Sequence, residues 1–175
     1  ILNENSPTLS YWETIFNRFV DGDTSFVDSL LTDSAQSFFY ELVIFDDITL
    51  NKTFHLLREQ LDTSYVDYNI PEITSDDVVG GFRNGWGLFI INMNAEREQI
   101  LIQVPHPCDD FIAPYIALDL FFETDAFGFM IAGAGREVAW NEIGDYSNSK
   151  SISDPSRYPH TVFQKFQDAV TEPLI

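Results

Sequence analysis

Gln99-Ile100-Leu101-Ile102-Gln103-Val104, then Ala113, Ile116, Ala117, Leu120 and Phe121, then Ala126-Phe127-Gly128-Phe129-Met130-Ile131-Ala132-Gly133, make up the stretch that decides the fold. The first run is apolar and β-rich, the middle set recurs at the spacing of one helix face, and the last is a short continuous apolar strand. Strand, helix and strand in that order form a crossover unit, which lays two parallel strands side by side. Residues 99–133 therefore predict an α/β domain, with a mixed central sheet and helices on both faces.

Upstream, Gly85-Trp86-Gly87-Leu88-Phe89-Ile90-Ile91-Asn92-Met93 is a second β-rich run, and Asn94-Ala95-Glu96-Arg97 a polar turn, so 85–104 is expected to be a hairpin at the sheet centre. At the start of the chain, Ser10-Tyr11-Trp12-Glu13 is a capping box, followed by Trp12, Ile15, Phe16, Phe19 and Val20 at helical spacing. That pattern predicts a helix over 11–20, stopped by Asp21-Gly22-Asp23. A second box, Ser25 to Asp28, opens a short helix, and the apolar run from Ser37 to Phe45 fits a helix or a strand by its period and is read as a helix. Residues 62–80 have no period and read as a surface connection. A last helix is expected to begin at Pro159 and to bury Val162, Phe163, Phe166 and Val170. The chain of 175 residues fits one domain, with a helical part over 1–80 and a sheet core over 81–175 that carries the site.

Composition narrows the function classes. Apolar residues make up 45% of the chain, which supplies a full core, while 28 acidic against 9 basic residues give a net charge of −19. A surface of that sign repels nucleic acid and anionic membranes, so neither is an expected partner. Cys108 is the single cysteine, which excludes an intrachain disulfide. The chain begins Ile1-Leu2-Asn3-Glu4-Asn5, without the basic and apolar pattern of a targeting peptide. No run approaches the roughly eighteen apolar residues of a membrane span.

Ligands of open α/β sheets bind at the carboxyl ends of strands, where two loops are expected to meet: Pro105 to Asp110, and the stretch from Ala134 through Ser153-Asp154. His106 and Asp109 follow a strand at H-x-x-D spacing, which lets an imidazole and a carboxylate converge on one cation; the bland alternative is a proline-stiffened turn with His106 bonded to backbone. His160, at the start of the last helix, completes such a site or lies on the surface. His55, within Phe54-His55-Leu56-Leu57, reads as a core or boundary residue. Arg136 is one of few cations and offers a fork for a substrate carboxylate, or else an internal ion pair. Glu137, Glu142 and Asp154 are candidates for a general base or for support of a ligand. Cys108 reads as a small half-buried thiol rather than a nucleophile. Gly133-Ala134-Gly135 lacks the third glycine of a dinucleotide fingerprint, and neither a Walker G-K-[ST] sequence nor a G-x-S-x-G elbow is present.

Gly85-Trp86-Gly87-Leu88, Ile102 to Pro107 with Asp109, Ile131-Ala132-Gly133-Ala134 with Arg136, Ser153-Asp154 and Val162-Phe163-Gln164 together resemble a group of bacterial, often secreted proteins. That group is distantly similar to the zinc-dependent carboxypeptidase and deacylase fold, which includes succinylglutamate desuccinylases, and to N-formylglutamate amidohydrolases and phage poly-γ-glutamate hydrolases. The resemblance covers residues 81–170, with Pro-His-Pro its most specific part. It implies a zinc-dependent amide or peptide hydrolase, secreted or periplasmic, acting on a small molecule or peptide that carries a carboxylate. His106 is then a metal ligand, Asp109 a ligand or its support, and Arg136 a neighbour of the substrate carboxylate. Two positions depart from the pattern: Gly135 stands where a histidine commonly precedes the arginine, and Arg157 where another precedes the last helix, with His160 three residues on. Two readings follow: an altered site of His106, Asp109 and His160 that still activates water, or a hydrolase fold kept for binding or structure.

Overall fold

The computed structural model describes residues 5–33, 38–62, 82–135, 140–141, 150–151 and 153–172. Two helices come first, α1 (Pro7–Val20) and α2 (Thr24–Leu31), followed by strands β1 (Tyr40–Asp47), β2 (Lys52–Glu59), β3 (Leu88–Asn92) and β4 (Arg97–Val104). Helix α3 (Ala113–Glu123), strand β5 (Ala126–Ile131), a small pair β6 (Trp140–Asn141) and β7 (Lys150–Ser151), and helix α4 (Val162–Thr171) complete the described elements. Five strands form one sheet in the order β1-β2-β3-β5-β4. Only β4 and β5 run parallel; the other neighbours are antiparallel. The fold is thus α/β with a mixed sheet, and the crossover of 99–133 forms as its pattern predicts.

Side-chain alternation along the strands divides the core in two. Phe89 and Ile91 of β3 join Leu57, Met130 and the inner faces of α1, α2 and α4 in one cluster. Ile90, between them, joins Phe54, Phe129 and the Ala117 and Phe121 face of α3 in the other. Helices therefore cover both faces. Rings interlock the larger cluster: Phe16 lies 4.8 Å from Phe89 and 5.2 Å from Phe166, centroid to centroid. Each such buried ring stabilises the fold by about 1.5–3 kcal/mol.

Several local expectations are overturned. The run ending at Phe45 is strand β1, not a helix; its aromatic and branched residues pair with β2, from Tyr40 opposite Glu59 to Asp47 opposite Lys52. The Asp47 carboxylate closes this hairpin by accepting the amides of Thr49 at 2.9 Å and Leu50 at 3.0 Å. Strands β3 and β4 are not a hairpin, because β5 inserts between them. The reason lies in the 93–96 connection: Asp125, in the turn before β5, accepts the Glu96 amide at 2.9 Å and the Asn92 side chain at 2.7 Å. Those bonds carry the chain past the slot that β5 fills.

Helix starts shift as well. Helix α1 begins at Pro7 rather than after Ser10, since proline's fixed φ and missing donor suit the first turn. Helix α2 is capped by Asp23, whose side chain accepts the Phe26 amide. Helix α4 begins at Val162 rather than Pro159, and Thr161 caps it, accepting the Gln164 amide at 3.0 Å. The buried face of α4 is the expected one, Val162, Phe163, Phe166 and Val170, with Ala169 added. The connection at 63–81 lies outside the described residues.

Candidate functional site

Strand β4 ends at Val104, and the chain turns at once between Pro105 and Pro107. The His106 carbonyl accepts the amides of Asp109 at 3.2 Å and Asp110 at 2.9 Å, a turn that leads into α3. Proline stiffening on both sides thus fixes the His106 backbone at the carboxyl end of a strand. Its side chain is mostly enclosed, at 16% exposure.

Asp154 reaches the same place from the loop before α4. Its carbonyl accepts the amides of Arg157 at 3.1 Å and Tyr158 at 2.9 Å, and its own Oδ1 accepts the Ser156 amide at 3.0 Å and the Ser156 hydroxyl at 2.6 Å. The loop folds around this carboxylate, leaving its side chain 3% exposed. His106 Nε2 stands 2.8 Å from Oδ1, and Arg157 Nε is 3.5 Å from Oδ2. Burial by itself would raise the Asp154 pKa, but the hydrogen bonds from His106 and Ser156 outweigh it and hold the carboxyl below its ordinary value.

The tautomer of His106 follows. An ionised Asp154 only accepts, so Nε2 carries the proton and Nδ1 keeps the lone pair. Nδ1 faces Asp110, 3.8 Å away on a side chain that is 60% exposed. Ser156 Oγ lies 3.3 Å from the same Nε2 that meets Asp154. In a serine-nucleophile triad the acid and the serine occupy opposite ring nitrogens, so Ser156 is not placed as a nucleophile. What the pair can do is take a proton at Nδ1, with the Asp154 charge offsetting the imidazolium, or present Nδ1 as a single ligand.

The other candidates from the sequence make no contact with this pair's side chains that would gather a metal site, or lie outside the described residues. Asp109 is exposed, and the His160 ring packs edge-on against Tyr158 with centroids 5.4 Å apart. Among the described residues no group of three or more His, Cys, Asp or Glu side chains is gathered to hold a metal ion. His106 is prepared as one ligand, but the described residues do not fit a zinc site, which needs three protein ligands. Arg136, Glu137 and Glu142 lie outside the described residues. Cys108 is exposed rather than half-buried, since the turn points it away from the core. His55 is buried as expected, at 8% exposure. Ser156 was not singled out from the sequence; its spacing two residues after Asp154 is the usual signature of a carboxylate that bonds its own turn.

A cavity of about 720 Å³ opens beside the loop, at the carboxyl ends of β2 and β5. It touches Pro107 and Cys108 but neither His106 nor Asp154. Its opposite wall includes Arg58, Glu41 and Glu59, none of which stands in a recognisable local motif. A close crossing shapes its floor: a Cβ on Gly133 would lie 2.8 Å from both the Gly85 carbonyl carbon and the Gly87 nitrogen. The second glycine of Gly-Trp-Gly is thereby explained, since only glycine lets Gly87 pass over the end of β5 while Trp86 packs against Trp12, 5.7 Å between centroids.

No family model matches this chain, and no curated protein or solved structure matches it.

Proposed function

We propose that the chain hydrolyses an amide or peptide bond near a substrate carboxylate, in an architecture of the zinc-carboxypeptidase and deacylase kind, with His106 as the proton acceptor. One observation carries this reading: the His106 imidazole is held by the buried, ionised Asp154 at the carboxyl end of a strand. That arrangement directs the lone pair to Nδ1, where it can take a proton from a water that attacks the carbonyl carbon. The same proton then passes to the leaving amine, and Asp154 remains ionised throughout. Arg136 is the proposed partner of the substrate carboxylate. His106 carries the step without a metal, since the described residues do not assemble a zinc site.

A second reading is favoured by the lack, among the described residues, of a group of three or more His, Cys, Asp or Glu side chains around His106 that could hold the metal the resemblance implies. There, the His106 and Asp154 pair is a clasp between the β4–α3 loop and the loop before α4, in a hydrolase-like fold kept for binding or structure.

Mass-spectrometric screening of N-acyl amino acids and short peptides separates the two. The hydrolase reading expects turnover that falls by about 10²–10⁴ in His106→Ala and in Asp154→Asn while both variants stay folded. No turnover by the unmodified chain decides for the clasp. Elemental analysis runs in parallel: about one zinc per chain, lost in His106→Ala, would replace the imidazole base with a metal centre.

A further inference from the structure

One row of residues crosses four strands in register: Glu41 of β1 pairs with Arg58 of β2, Arg58 with Leu88 of β3, and Leu88 with Ile131 of β5. All four line the cavity of about 720 Å³. Small-molecule sites run to about 300–1,000 Å³, so the space suits a ligand rather than a few waters. Along the row the chemistry changes. Leu88 and Ile131, with the half-exposed Phe82, offer apolar surface; Glu41 and Arg58 form the polar end, with Glu59 beside them.

The sign of the ligand follows from the charges at that end. Arg58 Nε donates to Glu41 Oε1 at 2.7 Å, and Glu41 is its one partner among the described residues, so its charge is already matched. Glu59 is 7% exposed and accepts two backbone amides, Asn84 at 2.6 Å and Gly85 at 2.9 Å. Those bonds satisfy its oxygens without a cation. Among the described residues the wall thus carries two carboxylates against one guanidinium, in a chain of net charge −19. An anion entering here would add to a surplus of like charge, whereas a cation is drawn by both the wall and the summed field.

We propose that this cavity binds a small molecule that joins an aromatic or aliphatic body to an ammonium group. The body lies against Leu88, Ile131 and Phe82, and the ammonium sits beside Glu41 in the field of Glu59. This does not rest on the hydrolase reading, since neither His106 nor Asp154 lines the cavity.

The test is a methyl NMR titration of the full chain with 3-phenylpropylamine, 3-phenylpropionate and 3-phenylpropanol, which share one body and differ in charge. The amine is expected to shift the Leu88 and Ile131 methyls saturably and to bind roughly fivefold more tightly than the other two. Glu41→Gln, a partly exposed and isosteric change, should weaken the amine by roughly the same factor and, by freeing Arg58, strengthen the carboxylate. Carboxylate or alcohol binding as tight as the amine, or the absence of saturable shifts at these methyls, would overturn the proposal. Hydrolysis is neither needed for this readout nor reported by it.

Discussion

His106 Nε2 and Asp154 Oδ1 meet at 2.8 Å across 48 residues of chain. The contact ties acid stability to one carboxylate, because the Asp154 pKa is lowered from 3.8 in the folded state. A depressed folded pKa means that its contribution is complete above the unfolded value and is lost as pH falls through the folded one. Asp154→Asn should therefore cost about 2–4 kcal/mol near neutrality, where His106, Ser156 and Arg157 lose a charged acceptor. Below pH 3.8 the gap between variant and wild type should close. Thermal midpoints from pH 7 to 3 check this; a gap that stays constant with pH would mean that the carboxylate charge is not what holds the loop.

Gly87 crosses β5 so closely that a Cβ there would lie 2.0 Å from the Ile131 carbonyl oxygen, and its φ is +109°. Backbone cannot yield as a flexible side chain can, and an L-residue is strained at that φ. Gly87→Ala should cost roughly 3–5 kcal/mol or prevent folding. Gly85, at φ +65° with its nearest contact 3.2 Å away on a side chain, should tolerate alanine at about 1–2 kcal/mol. Denaturant midpoints of the two variants test the order, and equal losses would show that strain in φ rather than the crossing governs both.

How legible was this molecule before its fold was known? The parallel crossover was, because continuous apolar runs around a helical stripe leave one topology. The strand order was not: the polar turn at 94–97 looks like a hairpin, and only the bonds from Asn92 and Glu96 to Asp125, about thirty residues on, send β4 past β5. Strand β1 was misread because a short apolar run has no decisive period. At the site, local spacing pairs His106 with Asp109, whereas the carboxylate on its ring is Asp154. Both residues were singled out, but their meeting depends on how the sheet places two distant loops, which no local spacing encodes. The cavity row is harder still, since its members come from four strands.

Helix α3 offers a direct check on the core. Its stripe was expected to bury Ile116 and Leu120 along with Ala117 and Phe121, yet Ile116 is 55% and Leu120 42% exposed, while Phe121 is 2% exposed. Phe121 packs 5.9 Å from Phe54 and 5.6 Å from Phe129. Phe121→Ala should cost about 3–5 kcal/mol, and Ile116→Ala less than about 1 kcal/mol. Urea unfolding of the two variants measures the ratio; a comparable loss at Ile116 would place that side chain against a covering element.

His55 sets a second pH limit, well above that of Asp154. Its ring is 8% exposed beside Phe19, and its Nδ1 is buried without a hydrogen-bond partner among the described residues. Burial lowers its pKa from 6.5, with the Asp46 charge opposing part of the shift. A lowered histidine pKa means that the unfolded chain binds a proton first. Stability should then be unaffected above about pH 6.5, fall as pH drops below that value, and level off once pH passes the folded pKa. His55→Phe keeps a ring against Phe19 and removes the titrating group, so its stability should be flatter over the same interval. His106 and His160 are present in both chains, so the difference between the two profiles isolates His55. Denaturant midpoints from pH 8 to 5 supply the measurement. Parallel profiles would mean that the histidine charges inside the fold as readily as in the unfolded chain, with the neighbouring Asp46 fully compensating its burial.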